Sequence, residues 1–188
     1  MVCEFVEDDI WRRPFIFSGD GKQFLRKAAE QPRRVYESAS GKPVEKFSGL
    51  PNGGVLALSR DGKKAILATR HEAVLFDANS GQEMARFSVP DSRPRRARFS
   101  PDGNRVAVEF RDHSVDRLNS DEFRDRANVY SSEDQWQQSF RLEPPALAHR
   151  YRWYPVSFNA DGTRLLYGGA LWDAYSGERI RQYGIVYE

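Results

Sequence analysis

The chain has 188 residues, of which 39% are hydrophobic, 13% aromatic and 30% charged. This composition is that of one folded domain with a core, and it excludes a disordered chain because aromatic residues occur along the whole length. The formal net charge of +2 is too close to balance to indicate nucleic-acid binding.

Localisation signals are missing from the sequence. The first residues are acidic between Glu4 and Asp9, and they have neither the basic start nor the apolar run of a secretory signal. No stretch approaches the roughly 18 apolar residues of a membrane span. Cys3 is the single cysteine, so no internal disulfide can form and a reducing compartment is the simplest setting. We therefore expect a soluble cytoplasmic protein, unless a longer polypeptide carries a targeting signal elsewhere.

An Asp-Gly pair recurs four times along the chain, and its aspartates are separated by 41, 41 and 59 residues: Asp20, Asp61, Asp102 and Asp161. A short hydrophobic run ending in Ser or Asn precedes each pair, and another apolar run follows it. In Ser100-Pro101-Asp102-Gly103, Pro and Asp suit the first two turn positions, and Gly takes the left-handed conformation of a bulged turn. Each pair therefore predicts a β-hairpin.

A second marker follows each hairpin. It is an aromatic–acid pair and a Ser-Gly turn, and it occurs as Tyr36-Glu37, Phe76-Asp77 and Trp172-Asp173. The third copy is degenerate, since 132–134 read Ser-Glu-Asp where a glycine is expected. One more amphipathic strand follows each turn. Each repeat therefore predicts four short antiparallel strands, a to d, and helical repeats are excluded because the turn signals interrupt every 3.6-residue pattern.

At this point the residues resemble the WD40 repeat family. The run from Phe99 to Ala107 resembles the a–b hairpin of that family, and Trp172-Asp173 resembles its name-giving dipeptide. The Gly-His pair usual between strands d and a is absent, so we describe the chain as WD40-like. The resemblance implies an all-β fold, a β-propeller segment of four WD40-like four-stranded blades, over about 14–47, 48–89, 90–142 and 143–183. Residues 1–13 are expected to form an N-terminal strand or blade-completing segment, and 184–188 a strand-like tail.

Four blades leave the finished ring undecided, since propellers generally use 4–8 blades and WD40 rings usually resemble seven. A four-bladed ring needs very wide wedges between blades. Alternatively, two chains join as half-rings of an eight-bladed propeller, or the remaining blades lie beyond the ends of this chain. We favour the last two readings, because an open arc exposes two apolar blade faces that are prone to association.

The predicted partner-binding face carries the b–c and d–a loops, which commonly bind partners in the WD40 family. The third b–c loop is long, since Asp102 and Tyr130 are 28 positions apart against 15 between Asp61 and Phe76. Two clusters of basic residues, at 93–96 and 150–154, fall on the same side, where arginines and aromatics can anchor a partner. The alternative is that these arginines are solvated and bind no partner, and we favour it for Arg98. The predicted binding residues are Arg95, Arg96, Arg117, Arg124, Arg152 and Trp153.

Recognisable catalytic motifs are absent from the sequence: there is no Gly-rich phosphate loop, no paired-histidine zinc motif and no Gly-x-Ser-x-Gly. The turn aspartates have no further ligands at calcium spacing, so turn chemistry explains them. Glu109 and Asp112, at the end of a strand b, are the least implausible catalytic carboxylates. We therefore expect neither enzyme activity, nor a metal, nor a cofactor.

The expected function is a non-catalytic protein-interaction scaffold. Its partner is a protein of unknown identity, bound without membrane or nucleic acid, and a homodimer through the open blade faces is one outcome. The alternative is a propeller-type hydrolase or lyase with a site near the central channel. The two differ in one respect: an enzyme should show polar side chains that converge in the channel.

Overall fold

A computed structural model describes residues 15–26, 35–44, 54–112, 125–143 and 155–183. Across these ranges the chain is all-β, and none of these segments forms a helix long and apolar enough to cross a membrane. The strands are β1 (Phe15–Phe17), β2 (Gln23–Arg26), β3 (Val35–Glu37), β4 (Gly54–Leu58), β5 (Lys64–Ala68), β6 (Glu72–Asp77), β7 (Glu83–Ser88), β8 (Ser92–Phe99), β9 (Arg105–Asp112), β10 (Asp125–Ser131), β11 (Gln138–Leu142), β12 (Ser157–Phe158), β13 (Arg164–Tyr167), β14 (Ala170–Asp173) and β15 (Arg179–Gln182).

The strands form four antiparallel sheets, in each of which neighbours in sequence are neighbours in space. Sheet I contains β1–β3, sheet II β4–β7, sheet III β8–β11 and sheet IV β12–β15. The predicted fourth strand of sheet I is described only at its start, where the Val44 amide donates to the Val35 carbonyl at 2.8 Å. The prediction of an all-β fold with four repeated groups of antiparallel strands is therefore confirmed.

The Asp-Gly turns have the predicted conformation. Their glycines have φ between 70° and 76°, in the left-handed region that favours glycine. In the first turn the Ser18 hydroxyl donates to the Asp20 carboxylate at 2.6 Å, and the Lys22 amide donates to the same oxygen at 3.0 Å. These bonds, the Ser18 bond foremost, lower the pKa of Asp20 below its ordinary 3.8. The repeated aspartates are therefore turn-forming residues, as their spacing predicts.

The degenerate turn of the third repeat keeps the left-handed backbone without a glycine. Gln135 and Trp136 have φ of 54° and 63°, which is costly for residues with a Cβ. Trp136 is buried in the core between sheets II and III, with the Lys64 ammonium 5.6 Å from its ring centre. Burial of this side chain is the physical reason that the turn tolerates the strain.

Each sheet packs face to face on the next one in the chain through a separate apolar core. One cluster joins sheets I and II, a second joins II and III, and a third joins III and IV. Because side chains alternate between the two faces of a strand, strand pairing assigns each residue to one face. Both faces of sheets II and III are covered in this way, so their central strands β5 and β9 are buried over most of their length.

The pairing register defines two faces that differ in the same way in all four sheets. What we call the aromatic face has an aromatic residue on the third strand, and its cross-strand rows are Phe17–Phe24–Tyr36, Leu58–Ala65–Phe76, Phe99–Val106–Tyr130 and Phe158–Leu165–Trp172. The aliphatic face is the opposite one, with rows Ile16–Leu25–Val35, Ala57–Ile66–Leu75, Arg98–Ala107–Val129 and Ser157–Leu166–Leu171. At all three junctions the aliphatic face of one sheet packs on the aromatic face of the next.

Candidate functional site

A cleft of about 810 Å³ lies where the first strands of all four sheets approach one another. It is lined by residues of β1, β4, β8 and β12 and of the turn that follows each of them. Its walls combine polar groups with apolar side chains, among them Phe17, Leu56, Phe99 and Phe158. A concave site with apolar walls and a few polar groups is the usual form of a ligand site.

Four arginines supply the charge of this cleft: Arg60, Arg95, Arg96 and Arg98. Among the described residues that line it, no aspartate or glutamate is present. Arg60 is exposed in the turn after β4, whereas Arg95, Arg96 and Arg98 of β8 are half-buried. Charge of one sign between apolar walls raises the local concentration of ions of the opposite sign. The cleft is therefore suited to an anionic group.

A β-bulge brings Arg95, Arg96 and Arg98 of β8 to the cleft together. Pro94 pairs with Phe110 and Arg96 pairs with Glu109, so Arg95 is the extra residue of the bulge. Arg96 and Arg98 are two positions apart and therefore lie on the same face of the strand. The Arg98 guanidinium also donates to the Ala97 carbonyl at 3.0 Å. Without the bulge, Arg95 would lie on the opposite face of β8 from Arg96.

Glu109 lies behind the cleft, on the strand next to β8. It is 2% exposed, and one of its carboxylate oxygens is 3.6 Å from the Arg96 guanidinium. Its other oxygen accepts a hydrogen bond from the Val156 amide at 2.6 Å, just before β12. The carboxylate therefore holds Arg96 and at the same time ties sheet III to the start of sheet IV.

Gly19 allows the turns of sheets I and II to meet at the rim of the cleft. The Asp20 amide donates to the Arg60 carbonyl at 3.0 Å. A Cβ at Gly19 would come within 3.1 Å of the Arg60 backbone and side chain, which is closer than ordinary van der Waals contact. The small residue at position 19 thus fixes where the backbone of Arg60 enters the cleft.

The predicted location of two binding residues is wrong. Arg95 and Arg96 were expected in a d–a loop, but they lie within β8 and line the cleft. Their segment, Arg93-Pro94-Arg95-Arg96, lacks the apolar alternation of a strand, and its proline suggests a loop. The bulge accommodates both features. The other predicted binding residues, Arg117, Arg124, Arg152 and Trp153, lie outside the described residues, so their role stays a prediction.

Sequence reasoning also missed two of the four arginines. Arg98 was expected to be solvated, and it is half-buried in the cleft. Arg60 was not singled out. Its position in the repeat was the signal, because it comes directly before the Asp of an Asp-Gly pair. The residue at this position lines the cleft in all four sheets: Gly19, Arg60, Pro101 and Ala160.

The two carboxylates considered for catalysis both lie on β9, and each forms an ion pair with an arginine of a neighbouring strand. Glu109 pairs with Arg96, and Asp112 lies 3.1 Å from the Arg126 guanidinium. Among the residues that the structure describes, no group of three or more His, Cys, Asp and Glu side chains could hold a metal ion. The polar groups that converge on the cleft are thus mainly cationic.

Comparison with known proteins gives a fold and no family. No family model matches the chain, and no curated protein matches it either. The fold is widespread, since 736 chains of solved structures match it. One of them is the hydrazine synthase of Kuenenia stuttgartiensis, with 17% identity and a TM-score of 0.56, covering 80% of this chain and 47% of that one. The chain thus spans about half the length of that structure, and the likeness shows the fold alone.

This comparison contradicts the prediction that the chain is not an enzyme. A chain with this fold belongs to a protein that is named as a synthase. The missing motifs were the reason for expecting no catalysis, but short motifs describe particular families and do not describe what this fold can carry. We withdraw that prediction. At 17% identity neither a reaction nor a functional residue is transferred to this chain.

Proposed function

We propose that the four sheets are WD40-like propeller blades around the cleft, and that the cleft binds an acidic segment of a protein partner. Three features support the propeller architecture: the four-fold repetition of the sheets, the constant face-to-face packing, and the position of every first strand at the cleft. The predicted blade limits at 47/48, 89/90 and 142/143 fall between these sheets. The lone cysteine supports a cytoplasmic setting for this interaction.

The convergence of four arginines in one cleft is the observation on which the binding proposal depends. Guanidinium groups form charge-assisted hydrogen bonds with carboxylates, and these bonds are stronger in a half-buried site than in water. The apolar wall residues Phe17, Leu56 and Phe158 would accept the hydrophobic side chains of such a segment. This site lies at the first-strand edge of the four sheets, and it replaces the d–a loop position first expected for Arg95 and Arg96.

A fluorescence-anisotropy titration tests the proposal. The probe is a labelled peptide of alternating Glu and Leu, and the variant is the double substitution Arg95→Ala and Arg98→Ala. Each charge-assisted bond that is lost costs about 1.5–3 kcal/mol, so we expect binding at least about tenfold weaker. Affinity should also fall as salt is added.

The matched control is the pair Arg141→Ala and Arg179→Ala, which removes the same charge. These residues are on β11 and β15, the fourth strands of their sheets, at the edge opposite to the cleft. Their replacement should leave peptide affinity within about twofold of the original protein. Equal weakening by both pairs would mean that only net charge attracts the peptide, and the cleft would lose its role.

A hydrolase or lyase acting on an anionic substrate in the same cleft is the second candidate. It is favoured by the convergence of polar side chains on the cleft, with the Glu109 carboxylate behind Arg96. Turnover of anionic esters by the original protein, lost in Glu109→Gln while the peptide still binds, would support this candidate. Equal turnover by the original protein and by Glu109→Gln would show that Glu109 takes no part in the reaction.

A further inference from the structure

The two end sheets of the chain each have one face that no described sheet covers. On sheet I it is the aromatic face, where Phe17 is 59% exposed and Phe24 and Tyr36 are half-buried. On sheet IV it is the aliphatic face, where Leu166 is 50% exposed and Leu171 is half-buried. Apolar sheet faces of this kind generally mark interaction surfaces.

These two faces are the opposite halves of an interface that the chain already contains three times. The aliphatic residues equivalent to Leu166 are Ile66 in sheet II and Ala107 in sheet III, and both are fully buried by the next sheet. The aromatic residues equivalent to Tyr36 are Phe76, Tyr130 and Trp172, each packed on the preceding sheet. The end faces are therefore complementary to each other, and neither is complementary to itself.

We propose that a second copy of this chain is the occupant of both faces. The aromatic face of sheet I in one copy packs on the aliphatic face of sheet IV in the other, and the reverse contact closes the pair. Phe24 and Tyr36 then lie against Leu166 and Leu171 of the opposite copy, as Val106 and Tyr130 lie against Ile66 and Leu75 within the chain. We base this assignment on the match between the proposed contact and the three sheet-to-sheet contacts within the chain.

The number of copies follows from ring closure. Propellers generally have 4–8 blades, so two copies with four sheets each reach the upper end of that range and three copies exceed it. This count depends on the propeller architecture proposed above, but it does not depend on what the cleft binds. A mass measurement and a peptide titration therefore fail independently of each other.

Light scattering coupled to size exclusion tests the proposal on the full 188-residue chain. We expect a species of twice the chain mass of 21.6 kDa, and we expect Leu166→Glu to convert it to a monomer. The control is Met84→Glu on β7 of sheet II, which places the same charge at a residue that is 41% exposed and on neither end face. This control should leave the dimer intact. Circular dichroism and the melting temperature check that each variant is folded.

A mixing experiment then identifies which faces meet. Of the two end faces, Phe17→Glu damages that of sheet I and leaves that of sheet IV intact, and Leu166→Glu does the reverse. Each variant alone should be monomeric, whereas an equimolar mixture should recover a dimer, because one undamaged sheet I can pair with one undamaged sheet IV. A wild-type chain that stays monomeric would overturn the proposal. So would a ladder of larger species, or a dimer that persists in either single variant.

Discussion

Replacement of Glu109 by alanine should separate sheet III from the start of sheet IV, and the structure sets the size of the loss. The Val156 amide, in a buried residue, loses its acceptor at 2.6 Å, and an unsatisfied buried donor costs about 1–3 kcal/mol. Arg96 loses an ion-pair partner at 3.6 Å. Because its side chain is 26% exposed and stays hydrated, that loss adds less than about 1 kcal/mol. The free energy of unfolding should therefore fall by about 1–4 kcal/mol.

Urea unfolding followed by tryptophan fluorescence measures this change, since Trp172 is buried in the core between sheets III and IV. Glu109→Gln is the matched variant, because its amide oxygen can still accept the Val156 hydrogen bond while the charge is removed. It should lose only about 1 kcal/mol and should bind the acidic peptide more tightly, since a negative charge behind Arg96 is gone. A loss of less than about 1 kcal/mol for alanine, or an equal loss for glutamine and alanine, would show that the Glu109–Val156 hydrogen bond does not hold the two sheets together.

Three further predictions concern the cores and the turns. Leu165→Ala, in a fully buried residue of the core between sheets III and IV, should cost about 2–5 kcal/mol in urea unfolding, whereas Met84→Ala should cost less than about 0.5 kcal/mol. Gln135→Gly should raise the free energy of unfolding by about 0.5–1 kcal/mol, because it relieves a left-handed φ at the cost of some chain entropy; a lower melting temperature would contradict this. Hydrogen bonds from Thr163, its hydroxyl foremost, lower the pKa of Asp161 below 3.8 in the folded protein. The stability contributed by such turn aspartates is thus complete above about pH 4 and is lost as the pH falls below 3.8, and Thr163→Val should flatten the decline of melting temperature in acid.

The strands were predictable because their signals are local. An Asp-Gly turn and its flanking apolar runs involve about ten residues, and the left-handed glycines at 21, 62, 103 and 162 show that the turn chemistry was interpreted correctly. The aromatic residue before the acid also has a structural meaning. Tyr36, Phe76, Tyr130 and Trp172 occupy the same row position on the aromatic face.

The cleft was not predictable, because it depends on how separate sheets are placed in space. Arg60 and Arg98 are 38 positions apart in the sequence, and only the packing of sheet II on sheet III brings both to one cavity. The loop assignment of Arg95 failed for a local reason, since a bulge interrupts the alternation on which strand recognition depends. Glu109 was noticed only as a carboxylate near a loop. Its contact with Val156, 47 positions later, has no sequence signal.

The arginine-lined cleft is tested most directly by the ¹H–¹⁵N spectrum of the arginine side chains during titration with the acidic peptide. Nε–H resonances report each guanidinium separately, so the responding arginines are identified by residue. If the cleft binds the peptide, Arg60, Arg95, Arg96 and Arg98 should show saturable shifts, with Arg141 and Arg179 unmoved. Small, non-saturating shifts spread over all the arginines would show that the peptide meets only a diffuse positive surface and that the cleft is not its binding site.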